Sequence, residues 1–452
     1  MTQASTVNKQ YAQDFQRLRE RLADTEPSWL HDMRIRAFET FTALGFPTAR
    51  RGNEPWKYTN VGPIAAATFT YDGAAEIPQV SARKVQAAVP VRKGWTNLVF
   101  VDGRYAPSLS TTPETGSGAY ATTLLQALAS YPEAVRRHLG AYVQSDKEAF
   151  AALNTAFMTD GAFVLIPKDT ELAAPVHLAY VTTARRKGVA TYPRSLVVME
   201  ANSKATVIES YVGLADDVYL TDAVTEVVVG EGAKLDHYKF LRESATSYHV
   251  SIGRLDLKRD AQVTSTFIGQ GAAISRNDMH ANQAEPGSST HLWGLYVTRG
   301  TEHVDHFINI DHAAPHTTSR IYYKGILDGQ SHAVYGGTVF VHRGAVKSDA
   351  RQDDKNLLLS EGSEVDTKPA LEIYADDIKA GHGAASGKID ENTLFYMRSR
   401  GLDLETASRL LIYGFASEVI ESVKLEDFRQ YLKGWFDGIV PTLSHVRFGE
   451  IT

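Results

Sequence analysis

From about residue 196 to residue 366 the chain alternates short apolar, β-rich runs with tight turns of small or polar residues, and it does so at a nearly constant interval. The turns are centred on Ser203-Lys204-Ala205, Gly232-Ala233-Lys234, Asp260-Ala261-Gln262, Gly287-Ser288-Ser289, His316-Thr317-Thr318 and Gly344-Ala345-Val346. Their first residues stand 29, 28, 27, 29 and 28 positions apart. A period near 28 with no helical pattern inside it marks a coil stacked on itself, because one turn cannot bury its apolar face without its neighbours. The runs between turns, such as Leu196-Val197-Val198-Met199 and Thr338-Val339-Phe340-Val341, are of strand length and rich in β-branched and aromatic residues. The segment therefore reads as a parallel β-helix. An antiparallel sandwich also uses short strands, but nothing obliges it to keep one spacing over five intervals.

On either side the apolar period changes to that of helices. Tyr11, Phe15, Leu18 and Leu22 form one stripe, and Pro27 opens a second helix with Trp29, Leu30, Met33, Ala37, Phe38 and Phe41, ended by Gly45-Phe46-Pro47. Short helices are expected near 121–141 and 147–157, and Phe163-Val164-Leu165-Ile166-Pro167 begins the solenoid. After it, Asp390 caps a helix that stops at Gly401, Asp403 caps a second through Ala407, Leu410, Leu411, Gly414 and Phe415, and a third runs from about Asp427. The domain boundaries expected are 1–160, mostly helical; 161–385, the β-helix; and 386–452, helical. About 50 helical residues are few for an independent core, so part of their apolar surface is available to dock a partner.

Composition narrows the function classes. Hydrophobic residues at 43% and charged residues at 22% suit a folded chain, and a net charge of -6 speaks against a nucleic-acid scaffold. The short basic clusters Arg50-Arg51, Arg136-Arg137 and Arg185-Arg186-Lys187 read as solvated surface. The amino terminus is polar and no run of 18 apolar residues occurs, which points to a cytoplasmic protein. There is no cysteine in the 452 residues, so metal chemistry must use His, Asp or Glu, or borrow sulfur from another chain.

Enzyme signatures are missing. Gly383-Ala384-Ala385-Ser386-Gly387-Lys388-Ile389 fails as a P-loop in spacing and places Ile where a hydroxyl belongs; no Gly-x-Ser-x-Gly elbow or His-Glu-x-x-His pair occurs. Two histidine regions remain. In the first, with His303, His306, His312 and His316, strand alternation puts His303 and Asp305 on one face and His306 on the other, so hydrogen-bonded polar residues explain it better than a metal site. The second is His382, which stands among Gly and Ala between the last coil and the carboxyl-terminal helices, an uncrowded imidazole that either bonds backbone or serves as a metal ligand.

The stretch Lys368-Pro369-Ala370-Leu371-Glu372-Ile373-Tyr374-Ala375-Asp376-Asp377-Ile378-Lys379, followed by His382-Gly383-Ala384 and Leu394-Phe395-Tyr396-Met397-Arg398-Ser399-Arg400-Gly401, resembles the SufB/SufD family of iron-sulfur cluster assembly proteins, and the SufD branch in particular. Asn53-Glu54-Pro55-Trp56-Lys57-Tyr58-Thr59, Ala152-Leu153-Asn154-Thr155-Ala156-Phe157 and Asn356-Leu357-Leu358-Leu359-Ser360 are similar as well. The resemblance implies a mainly β fold, a right-handed parallel β-helix with helical subdomains at both ends, and a scaffold rather than an enzyme. It further implies pairing with a SufB-like paralogue through the β-helix and docking of a SufC-like ABC ATPase on the carboxyl-terminal helices, where Phe395, Tyr396, Arg398, Arg400, Leu410, Leu411 and Phe415 are the candidate contacts. The isolated chain is expected to form a homodimer. His382 matches the histidine that helps hold a transient iron-sulfur cluster shared with SufB, and no tightly bound cofactor is expected in the chain alone. Family members often carry a cysteine shortly before this histidine, where this chain has Ala380 and Gly381. The alternative is a β-helix carbohydrate-active enzyme with paired carboxylates on adjacent coils.

Overall fold

The computed structural model describes residues 9–50, 52–71, 80–112, 118–184 and 188–441. Each coil of the chain lays one strand on each of two sheets, and among the described residues each sheet has ten strands. Sheet one carries Val176–Thr182, Lys204–Gly213, Lys234–Arg242, Gln262–Gln270, Ser289–Thr298, Thr318–Leu327, Asp349–Leu358 and Lys379–Gly387 in that order. Sheet two interleaves Arg194–Met199, Leu220–Val229, Tyr248–Leu257, Ile274–Gln283, His303–His312, His332–Val341 and Glu364–Ile373. These neighbours all pair in parallel, which is the β-solenoid and not the sandwich. The stack also takes in Thr96–Val101, which pairs in parallel with Val176–Thr182 and lies in sequence that showed no period.

One corner explains the repeat. Asp169, Asn202, Gly232, Asp260, Gly287, His316, Lys347 and Asp377 all adopt positive φ. The N–H of each from Asp169 to Lys347 donates to a carbonyl in the corner of the next coil, at 2.7 to 3.3 Å. The corner thus extends the ladder of the sheets around the bend, and Asn, Asp and Gly recur there because they tolerate left-handed backbone. At Gly287 (φ 77°) a Cβ would stand 1.9 Å from Asp260 Oδ1, so side-chain crowding adds to the backbone requirement. The sixth turn, at Gly344-Ala345-Val346, belongs to a longer corner whose ladder residue is Lys347.

Three apolar layers follow from strand alternation. Inward residues such as Val207, Leu235, Val263, Leu292 and Ile321 fill the space between the sheets. The outer face of sheet two packs against the amino-terminal helices Lys9–Leu22, Ser28–Leu44 and Ala149–Phe157. Buried Asn154 ties the last of these to the strands, donating to Pro193 O at 2.9 Å and Asp222 O at 2.7 Å. The outer face of sheet one receives the carboxyl-terminal helices Leu404–Glu421 and Glu426–Ile439, with Trp435 edge-on to Phe240 at 5.3 Å and Phe428 against Tyr238 at 5.4 Å. Asp390 and Asp403 cap their helices as expected, accepting from Thr393 N and Thr406 N. The short carboxyl-terminal unit therefore completes its core on the solenoid wall. Arg136 and Arg137 are exposed, as expected, while Arg51 and residues 185–187 lie outside the described residues.

Candidate site at the open end of the solenoid

The final coil consists of Glu364–Ile373 and Lys379–Gly387, and among the described residues no strand pairs with the far side of either. Its backbone bonds only backwards, for example Lys379 N to Ser348 O at 2.9 Å and Tyr374 N to Val341 O at 2.9 Å. Exposure rises accordingly. Strand Asp349–Leu358 alternates between buried and open positions, whereas eight of the nine residues of Lys379–Gly387 are exposed. Such an edge offers a row of unused donors and acceptors to another chain.

His382 sits on this edge strand, and the register defines its direction. Val207, His237, Ser265, Leu292, Ile321, Gln352 and His382 form one column across successive strands, each facing the next. Their earlier members are buried between the sheets. His382 occupies the same inward column but is exposed, because no coil follows to cover it. Directly behind it Gln352 is fully buried and donates to Tyr335 Oη at 2.9 Å. In the next inward position buried Asp354 accepts from Asn356 Nδ2 at 2.7 Å, and burial pushes its carboxyl up to about 6.

Strand alternation separates the other histidines as expected. His303 faces outward on sheet two with Nε2 2.9 Å from Thr59 Oγ1, and burial, reinforced by neighbouring His332 and Arg276, lowers it to about 4. Inward His306 is wholly buried among Phe267, Tyr296 and Tyr323, and that burial lowers it to about 3. His312 is inward too, bonded to Thr317 at 2.7 Å and Ser319 at 2.8 Å, and His316 is a corner residue. Among the described residues no group of three or more His, Asp or Glu side chains is placed to hold a metal ion. His382 accordingly provides one donor at an open surface, and any metal centre there needs further donors from another molecule.

The carboxyl-terminal candidates divide into two sets. Phe395, Tyr396 and Leu410 are 69%, 58% and 51% exposed, Arg398 and Arg400 are exposed, and Arg400 Nη2 donates to Tyr396 Oη at 3.2 Å. Leu411 is half-buried. Phe415 is also half-buried and turned to the solenoid: Lys324 Nζ lies 4.6 Å from its ring centre and donates to its carbonyl at 2.7 Å and to Glu418 at 2.8 Å. The apolar stripe of the helix predicted a packed partner for Phe415, and Lys324 supplies it.

The SufBD protein N-terminal region matches residues 5–178, and the SUF system FeS cluster assembly SufBD core domain matches residues 180–415. The chain belongs to the SufB/SufD family of iron-sulfur cluster assembly proteins. It is 31% identical over 389 residues to the iron-sulfur cluster assembly protein SufD of Escherichia coli, covering 85% of this chain and 87% of that one. It is 30% identical over 420 residues to a SufBD family protein of Synechocystis, with 91% of each chain covered, and 26% identical over 437 residues to SufD of Bacillus subtilis, with 94% and 96% covered. Membership in an iron-sulfur assembly family displaces the carbohydrate-active alternative. Among the described residues no helix is long and apolar enough to cross a membrane.

Proposed function

We propose that this chain is a non-catalytic scaffold subunit of the cytoplasm on which an iron-sulfur cluster is assembled as cargo. Its open solenoid end pairs with a SufB-like paralogue, and its carboxyl-terminal helices dock a SufC-like ABC ATPase. The observation that carries this reading is the position of His382: an inward-column residue left open at an unpaired sheet edge, where a second solenoid end would enclose it. A neutral imidazole binds iron, and a chain with no cysteine requires thiolates from its partner. The cluster is held transiently, and the chain alone carries no tightly bound cofactor. Without its paralogue the same edge pairs two copies of this chain.

Phe395, Tyr396 and Leu410, with Arg398 and Arg400, form the exposed part of the ATPase contact and half-buried Leu411 its margin; Phe415 transmits its movement to the solenoid through Lys324. The functional units are bounded near residues 160 and 385, although strands of sheet one extend from Thr96 to Gly387. Co-purification with the paralogue and ATPase tests the assembly, and His382→Ala tests the site. The variant is expected to form the full complex yet yield several-fold less cluster by absorbance and iron content. An unchanged yield removes His382 from the role, and failure of the wild-type chain to bind either partner removes the scaffold reading.

A further inference from the structure

From Leu220–Val229 to Glu364–Ile373 the strands of sheet two pair residue for residue, with one interruption. Between His303–His312 and His332–Val341 the pairing lapses where Ile308 and Asn309 stand opposite Gly337 and Thr338. No residue is inserted there, since His332 and Val339 both follow their partners His303 and Ile310 by 29 positions. Gly337 takes φ 143°, and a Cβ on it would stand 1.8 Å from Ile308 O, so the two backbones meet where no side chain fits. The N–H of Thr338 donates to a side-chain atom, Asn309 Oδ1, at 2.9 Å. Sheet one has no lapse at this level, because Thr318–Leu327 and Asp349–Leu358 pair along their whole length.

The outer face is also tied less firmly across the lapse than within the body. In the body Arg276 reaches from its own coil to Asp305 on the next, and both side chains are buried. Across the lapse the ties are half-buried imidazoles: His342 lies 3.8 Å from Asp311, and the rings of His303 and His332 are 4.9 Å apart. Loop 53–59 spans the same line. Thr59 holds it to the body, donating to Asp305 at 2.5 Å with His303 Nε2 2.9 Å away, while Glu54 pairs with Lys368 on the final coil. Both side chains of that pair are exposed, so it makes a weak latch. The interior favours closure, since Ile308, Tyr335 and Val339 are fully buried beside the lapse. Opening there is a minor state of the kind that amide exchange detects.

We propose that the two coils beyond the lapse, His332 to Gly387, open as one unit against the body of the solenoid, hinged on sheet one and latched by the pair Glu54–Lys368. His382 belongs to the moving unit; a bearing on cluster assembly rests on the scaffold reading, whereas the opening is a property of the free chain. Amide exchange of the full-length protein tests it. Residues 332–341 are expected to exchange at least tenfold faster than residues 274–283, a strand of similar burial in the body. The chain has no cysteine, so Asn309→Cys with Thr338→Cys introduces a single disulfide across the lapse, where neighbouring strands stand about 4.8 Å apart. With that bond formed, exchange of 332–341 is expected to slow at least tenfold and to recover on reduction. Glu54→Gln and Lys368→Gln, which release only the latch, are each expected to speed it about two- to fivefold with 274–283 unchanged, and they serve if the disulfide does not form. Exchange of 332–341 no faster than that of 274–283, or unaltered by the closed disulfide or by both latch variants, overturns the proposal.

Discussion

His306 shows what one buried side chain costs the solenoid. It is fully enclosed by aromatic rings, and neither ring nitrogen has a hydrogen-bond partner. Two unpaired polar atoms in such a place are destabilising by about 1–3 kcal/mol each, so His306→Phe is expected to raise the unfolding free energy by about 1–2 kcal/mol in chemical denaturation, after the strain of a larger ring. A fall in stability would contradict the claim that the unpaired ring nitrogens cost more than the strain of a larger ring. Glu302 makes a similar point through pH. Burial raises its carboxyl from 4.5 to about 7, and its residue is 6% exposed. Between these values the unfolded chain has already released the proton that the folded chain keeps. Its contribution to stability is therefore full below pH 4.5, falls as pH rises to about 7 and is constant above, a change of about 3 kcal/mol at most. Glu302→Gln can still accept the Arg299 N–H that Glu302 now accepts at 2.8 Å. It is expected to melt higher than wild type at pH 8 and equally at pH 4.5.

At the scale of elements, the repeat was legible because each coil must meet the same requirement at one corner. Positive φ favours Asn, Asp or Gly, which hold six of the eight corner positions (His316 and Lys347 are the other two), and the turns around them can be counted directly along the chain. Helix ends were legible for a related reason, since Asp390 and Asp403 satisfy first-turn N–H groups whatever the helices pack on. Strand Thr96–Val101 escaped notice because it joins the stack from outside the repeat, with no preceding coil to set its phase. The apolar stripes of the last helices were visible, but not which part faces the solenoid. The structure separates those parts, and with them two kinds of variant. Phe395→Ala and Tyr396→Ala are expected to change stability by no more than about 0.5 kcal/mol while weakening ATPase binding. Trp435→Ala, which empties a contact with Phe240, is expected to cost about 3–5 kcal/mol in chemical denaturation. Equal losses of stability would mean that Phe395 and Tyr396 are packed rather than presented.

The whole molecule is a stack whose two outer faces are largely covered by helices and whose last coil is left uncovered. His382 was legible as an uncrowded imidazole, but its inward direction was not, because that depends on a register carried over six strand pairings from Val207. The openness of the end was likewise hidden, since Lys379–Gly387 has the composition of a loop and the pairing of an edge strand. The proposed scaffold role requires this end to be completed by another chain. Amide hydrogen exchange of the free protein and of its complex with the SufB-like paralogue measures that directly. Exchange across residues 379–387 is predicted to slow by at least tenfold on complex formation, with the buried strands of the middle coils unchanged. Equal exchange of residues 379–387 in the free and complexed protein would contradict it.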